Sequence, residues 1–419
     1  MINIPLFSSD QYRRVLKTPA IALKNRFYEQ NPVLSGDPGA VVARPGLRKF
    51  AQVGDGPIRK TFSSPGTFDG DLFVVSSNSL YRISSADLTE TDIGDLTAEL
   101  GDVSMCTTAP IEEVPAYLYI ADGGVLWVYT DNGHALAHLT TSGAIANNDT
   151  VRLDEVYYKW TTGSVNAGTP LGTAANPWLV ALGAGNAAAL ENLFNAVNAS
   201  GLAGTDYTTV LTRHPLVNAI AFTITEAYFE AVTAGTAGNA YESTETGANI
   251  SFGGGTFAGG GSASLRQVMM PDDVGAISVA HINSYVIVVP VQEEATQGRF
   301  YWIEPGENTV DPLNFATAER NPDGVHQVVV FGDMFWLLGE NTTEPWITTG
   351  APAAPMERFR GILFDRGSWP GTAIQVKDSL IVVDEDGGVF QISGGQKRVS
   401  NPGIEERIRR AKQTQAFEE

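Results

Sequence analysis

The sequence runs to 419 residues with 43% hydrophobic side chains, 44 glycines and 22 prolines, which excludes a globally disordered chain and allows one large core or two or three ordinary domains. Forty-seven acidic residues against 27 basic ones set a formal charge of −20, so the average surface repels phosphate and anionic lipid, and tight binding to the outside of a nucleic acid is disfavoured. Cys106 has no partner for an internal disulfide, the opening MINIPLFSSDQYRR lacks a secretory pattern, and no uncharged apolar run nears the roughly 20 residues of a membrane-spanning helix; a soluble chain made in a reducing cytoplasm is expected.

In chain order, the first feature is a basic segment, SDQYRRVLKTPAIALKNRFYEQNP, which concentrates Arg13, Arg14, Lys17, Lys24 and Arg26 in an otherwise acidic chain. Then comes a phrase that returns five times: GDLFVVSSNSLYRI, AYLYIADGGVLWVY, SYVIVVPVQEEATQGRFYWI, GDMFWLLGENTTEPWIT and DSLIVVDEDGGVFQI. Each is an apolar strand, a polar turn and a second strand carrying an aromatic. Those aromatics, Tyr81, Trp127, Tyr301, Trp346 and Phe390, are spaced by 46, 174, 45 and 44 residues. Self-similarity at such a period marks a repeat architecture, and one interval holds about 129 residues more than a period, the size of a small domain.

Ahead of each hairpin lies a short alternating run (PIRKTFSS, DVSMCTT, GAISVAHI, VHQVVVFG, TAIQVK), and after it a more polar one such as TETDIGDL or NFATAER. Three clear strands and one frayed outer strand per period predict a four-stranded antiparallel sheet, and its radial repetition is a β-propeller. The uninterrupted apolar runs LFVV, YLYI, VIVV, MFWLL and LIVV then follow from burial of both strand faces between neighbouring blades. Asp122-Gly123 and Asp386-Gly387 supply tight-turn chemistry. Asp384, Glu385 and Asp386 are assigned to that turn and to no reaction.

The long interval, residues 135–264, shifts toward Ala, Gly, Thr and Asn. DTVRLDEVYYKW predicts a strand or hairpin, NAAALENLFNAVNASG a helix with Leu190, Leu193, Phe194 and Val197 on one face, capped by Asn186 and stopped by Gly201, and AIAFTITEAYFEAVT further strands. A compact α+β module inserted in a loop is expected, with FGGGTFAGGG as the linker back. At the carboxy terminus, NPGIEERIRRAKQ places Glu405 and Glu406 early and Arg407, Arg409, Arg410 and Lys412 late, as a helix dipole favours. The division is 1–134, amino-terminal segment and first blades; 135–264, inserted module; 265–400, remaining blades; 401–419, helical segment.

Residues for chemistry are missing. His134 and His138 in HALAH have helical ligand spacing but no flanking acid or third ligand, and His214, His281 and His326 stand singly. There is no nucleophile elbow and no phosphate loop. The Ser-x-Asp-x-Gly-x-x-Trp turn of sialidase-like blades is incomplete in ADGGVLW and DEDGGVF. No catalytic, cofactor or metal site is expected, and the chain reads as a non-enzyme.

The amino-terminal NRFYEQNPVLSGDPGAVVARPGLRKF, through Asn31-Pro32 and Pro45-Gly46-Leu47, and the run from NPDGVHQVVVFGDMFWLLGENTTEPW to NPGIEERIRR resemble the tail nozzle, or tail hub, proteins of short-tailed bacteriophages, also called packaged-DNA stabilisation proteins. The resemblance covers about two thirds of the chain. The intervening module is similar to one that recurs in phage tail structural proteins.

The resemblance implies a mainly β fold, a propeller of six blades where five hairpins are visible, and a ring of six subunits. It further implies that this ring lies below the portal and adaptor, with genomic DNA passing through its lumen without sequence-specific binding, next to tail fibre or spike proteins. The expected location is the virion tail, assembled in the host bacterial cytoplasm. Arg13, Arg14, Lys17, Arg407, Arg409 and Arg410 are the candidate interface residues. The alternative expectation is a carbohydrate-binding or glycan-cleaving propeller of a phage tail, with its pocket at the axial mouth.

Overall fold

The computed structural model describes the strands Arg26–Glu29 and Ala40–Ala43 and residues 50–415, apart from 112–113, 294–295, 319–323, 352–353, 360–363 and 394. The five repeated phrases are the central hairpins of five four-stranded antiparallel sheets, each a propeller blade. The first blade runs Ile58–Phe62, Leu72–Ser76, Ser79–Ile83, Glu90–Asp95. The third runs Ala276–Ile282, Tyr285–Pro290, Arg299–Ile303, Phe315–Thr317. The fourth is Val325–Phe331, Met334–Gly339, Thr343–Thr348, Met356–Arg358, and the fifth Ile374–Val376, Ser379–Val383, Val389–Ile392, Gln396–Arg398. Arg26–Glu29 and Ala40–Ala43 pair as a two-stranded ribbon.

The second blade is split. Ser104–Thr107, Leu118–Ala121 and Leu126–Thr130 come before the insertion, and Ser264–Val268, after it, adds to Leu126–Thr130 as the outer strand. Ser264, read from sequence as the module's last residue, is therefore the first of a blade strand.

The chain divides into two compact units, 55–317 and 1–54 with 318–419. Within the first, apolar clusters sit between consecutive blades: Phe73, Val75, Leu118 and Ile120 between the first and second, Tyr119, Val286, Val288 and Tyr301 between the second and third. Within the other, Trp336, Leu338, Leu380 and Phe390 join the fourth and fifth. This is why the central strands lose their alternation, since both faces meet a neighbour and each large side chain contributes ~1.5–3 kcal/mol by burial. The exception is Ser379–Val383, where Ile381 and Val383 are only half-buried.

The module has its own core, which includes Leu139, Trp160, Leu190, Leu193 and Phe229. One sheet orders Val217–Phe222, Glu226–Ala234, His134–Thr141 and Ile250–Phe252; the other orders Trp178–Ala181, Val156–Thr161, Thr150–Leu153 and Ser243–Glu245. The helix Asn186–Asn198 buries Leu190, Leu193 and Val197, and Phe194 packs at the margin.

Three local expectations need correction. Gly185, not Asn186, is the N-cap; the Asn186 amide instead donates to Gly143 O (2.8 Å) and accepts from the Ile145 N–H (3.0 Å), tying the helix to the loop before Thr150. The helix ends at Ala199 in the left-handed region (φ 51°), two residues before Gly201. The glycine run is no slack linker either. Phe252 and Phe257 are buried, and a Cβ on Gly260 would lie 2.2 Å from Gly235 O, so glycine is required by close backbone approach.

Candidate functional site

The carboxy-terminal helix, Pro402–Gln415, is fastened to the fifth blade. Glu405 is 4% exposed and accepts from Arg398 Nε (2.7 Å) and Ser400 Oγ (2.6 Å); burial opposes its ionisation, and these two donors overcome that and hold its carboxyl below the usual range. Gly387, at φ 80° in the blade's turn, abuts the helix: a Cβ there would sit 3.1 Å from Glu405 O. Lys412 pairs with Glu385 and lies 5.1 Å from the Trp369 ring centroid.

Of the sequence-derived interface residues, Arg13, Arg14 and Lys17 fall outside the described residues. Arg407, Arg409 and Arg410 are all exposed on the helix. Arg409 and Arg410 both reach Glu406, at 3.5 and 3.1 Å, whereas Arg407 has no ion pair among the described residues. Exposed i,i+3 and i,i+4 pairs contribute only ~0.3–0.5 kcal/mol, so these guanidiniums exchange partners at little cost.

The acidic turns serve the backbone. Asp122, 1% exposed, accepts the N–H groups of Thr97, Ala98, Gly124 and Val125, and Asp384 accepts that of Gly388. His134 and His138 lie on a strand, not a helix; at about 3.3 Å per residue their Cα atoms are too far apart to share a metal as neighbouring ligands. Among the described residues no group of three or more His, Cys, Asp or Glu side chains is placed to hold a metal ion.

What the sequence did not reveal is a buried polar latch where the module meets the second and third blades. Glu230, on the module and 1% exposed, receives Arg266 Nε at 2.8 Å and Asn308 Nδ2 at 2.6 Å. Asn308 also approaches the Tyr117 hydroxyl (3.5 Å), which lies 2.5 Å from His134 Nε2, while His134 Nδ1 donates to Ala231 O at 2.7 Å. Burial, with the Glu230 charge second, pushes the Tyr117 hydroxyl up, so it stays protonated. Arg213 spans from Asn218 on the module to Glu307 at 3.4 Å. The only trace in sequence is a lone charge inside an apolar strand, Glu230 in EAYFEAVTA. Beyond the latch, the same module face and the blade's outer strand enclose an open, mainly apolar groove of about 590 Å3.

Among the described residues no helix is long and apolar enough to cross a membrane. A family model for phage stabilisation proteins, described as the β-propeller of bacteriophage P22 Gp10, matches residues 227–418. No curated protein matches the chain. Similar solved structures include the Myceliophteria thermophila Cps50 (Swd1) β-propeller domain, 7% identical, covering 81% of this chain and 88% of that one at a TM-score of 0.31. Kluyveromyces lactis Hsv2 is 10% identical over 84% and 78%, TM-score 0.27. A putative 6-phosphogluconolactonase from Bacteroides uniformis is 10% identical over 79% and 82%, TM-score 0.30. Superposition this loose carries nothing about function, and the blade assignment stands on the sheet topology and the family match.

Proposed function

We propose, from the match of residues 227–418 to the phage-stabilisation family model described as the β-propeller of bacteriophage P22 Gp10, that the chain is a tail nozzle subunit, a non-enzymatic structural protein of the virion that extends the DNA exit channel and retains the packaged genome. Six copies form a ring docked on the head-to-tail adaptor and portal, assembled in the host cytoplasm and contacted by fibre or spike proteins. The family match is the observation that carries this reading.

Charge supports it. At −20 per copy, a channel wall of this composition has no phosphate grip, and DNA slides past it, whereas a basic wall would hold each phosphate and release counterions. The exposed Arg407, Arg409 and Arg410 are assigned to the adaptor interface.

The test is assembly. Particles built without the protein should package DNA and then lose it, and the purified chain should pull down the adaptor complex and complete a six-fold ring visible by electron microscopy. Genome retention without the protein, or release of sugar from host glycans by the purified chain, would replace the nozzle reading.

A further inference from the structure

The groove beside the latch runs between two sheet ends. Ser264–Val268 is the end strand of the second blade, and Val217–Phe222 the end strand of the module sheet. An end strand presents backbone N–H and C=O groups with no ladder partner on its outer side. Part of the module's edge is already closed: Asn198 donates to Ala219 O at 2.8 Å and accepts from Ala219 N–H at 3.0 Å, doing for that residue what a neighbouring strand would. The groove begins one residue later, at Ile220, where that cover stops.

Shape and charge restrict the occupant. Leu136, Ile220 and Val268 supply apolar lining, joined by the adaptable side chains of Met269 and Met270. The cation lining the groove, Arg266, is held by Glu230, while Asp273, which also lines it, is exposed. The free charge of the site is thus negative, on a chain already at −20, which opposes a second copy and favours a basic ligand.

We propose that this groove receives an extended basic segment of a different protein, added as a further strand along Ser264–Val268, with its alternate apolar side chains between the module and the blade. Main-chain ladder bonds supply attachment and alternate pockets supply selectivity. The module, on this reading, is a clamp that turns an ordinary blade edge into a binding site.

The probe is a fluorescein-labelled nonapeptide alternating valine and lysine, added to the full-length chain and followed by anisotropy at fixed salt. It should bind roughly tenfold or more tightly than an equally charged peptide whose central valine is proline, because proline removes a ladder donor. That preference should vanish in Leu136→Arg, a position already 38% exposed, and in Val125→Arg, both checked for native circular dichroism. Amides of Ser264–Val268 should exchange more slowly with peptide present. Equal binding of the two peptides, no binding at about 1 mM, or unchanged binding by Leu136→Arg overturns the proposal. A self-associated species in sedimentation that Leu136→Arg dissolves overturns it in favour of a second copy.

Discussion

Arg59 stands in the bulge of the first blade's opening strand, between Ile58 and Lys60, and donates to the carbonyls of Ser77, Ala98, Leu100, Gly101 and Asp122 at 2.5–3.4 Å. Desolvation lowers its pKa against the pull of Asp122 and Asp102. One side chain thereby stitches the ends of two blades. Hydrogen bonds to a charged group contribute ~1.5–3 kcal/mol, and Arg59→Ala should lower stability by about 2 kcal/mol, read as a lower urea midpoint at unchanged slope.

The fourth blade has the same bulge, between Val325 and Gln327, and the residue there is His326. Burial lowers the His326 pKa below 6.5, against the Ser368 and Gly339 backbone and the charges of Glu340 and Glu385; burial likewise lowers His214 and His281. The folded state therefore prefers the neutral rings. Their contribution is fully present above pH 6.5 and is lost as pH falls through the lower folded values. The melting temperature should drop as pH falls below about 6.5, and the drop should be shallower in His326→Gln; identical pH profiles would remove His326 from this account.

At the scale of elements, the carboxy-terminal helix has a buried side and a free side. Arg398, Ser400 and the Gly387 turn hold Glu405 and the helix against the fifth blade, while Arg407, Arg409 and Arg410 face outward. Reversing all three to Glu should leave the melting temperature within about 1 kcal/mol equivalent of wild type. Under the nozzle proposal it should also weaken adaptor pull-down, giving particles that package DNA and leak it. Normal attachment would return these arginines to a solvated face.

The whole molecule raises the matter of whether the module is separable. Its entry and exit lie together, with Gly133 N–H bonded to Ser262 O at 2.7 Å, so removing residues 134–261 and joining the ends is geometrically simple, provided Ser264–Val268 is kept for the second blade. The blades should remain folded, with a cooperative melt and β-sheet circular dichroism. Within the intact chain the latch is less forgiving. Glu230→Ala strands Arg266 and Asn308 in a buried site and should cost ~3–5 kcal/mol, seen as lowered thermal stability and early proteolysis in the module. A ring of six would also carry six times −20, so its assembly should strengthen with salt until screening removes the self-repulsion.

The period of about 45 residues was readable from sequence because a strand buried on both faces must be apolar throughout, and a blade that repeats its burial repeats its spelling. The same logic marked the insertion as an interval that broke step, and the Asp-Gly turns through the positive φ of Gly123 and Gly387. Local chemistry sufficed for these.

What only the tertiary structure decided depends on partners far apart in the chain. The second blade's outer strand is supplied across the module. Asn186 gave up its cap for a loop, and FGGGTFAGGG became close-packed backbone. Glu230, Arg266 and Asn308 met from positions up to 78 residues apart. A buried polar group is specified by who completes its hydrogen bonds, and no periodicity records that; a groove exists only once two edges face each other.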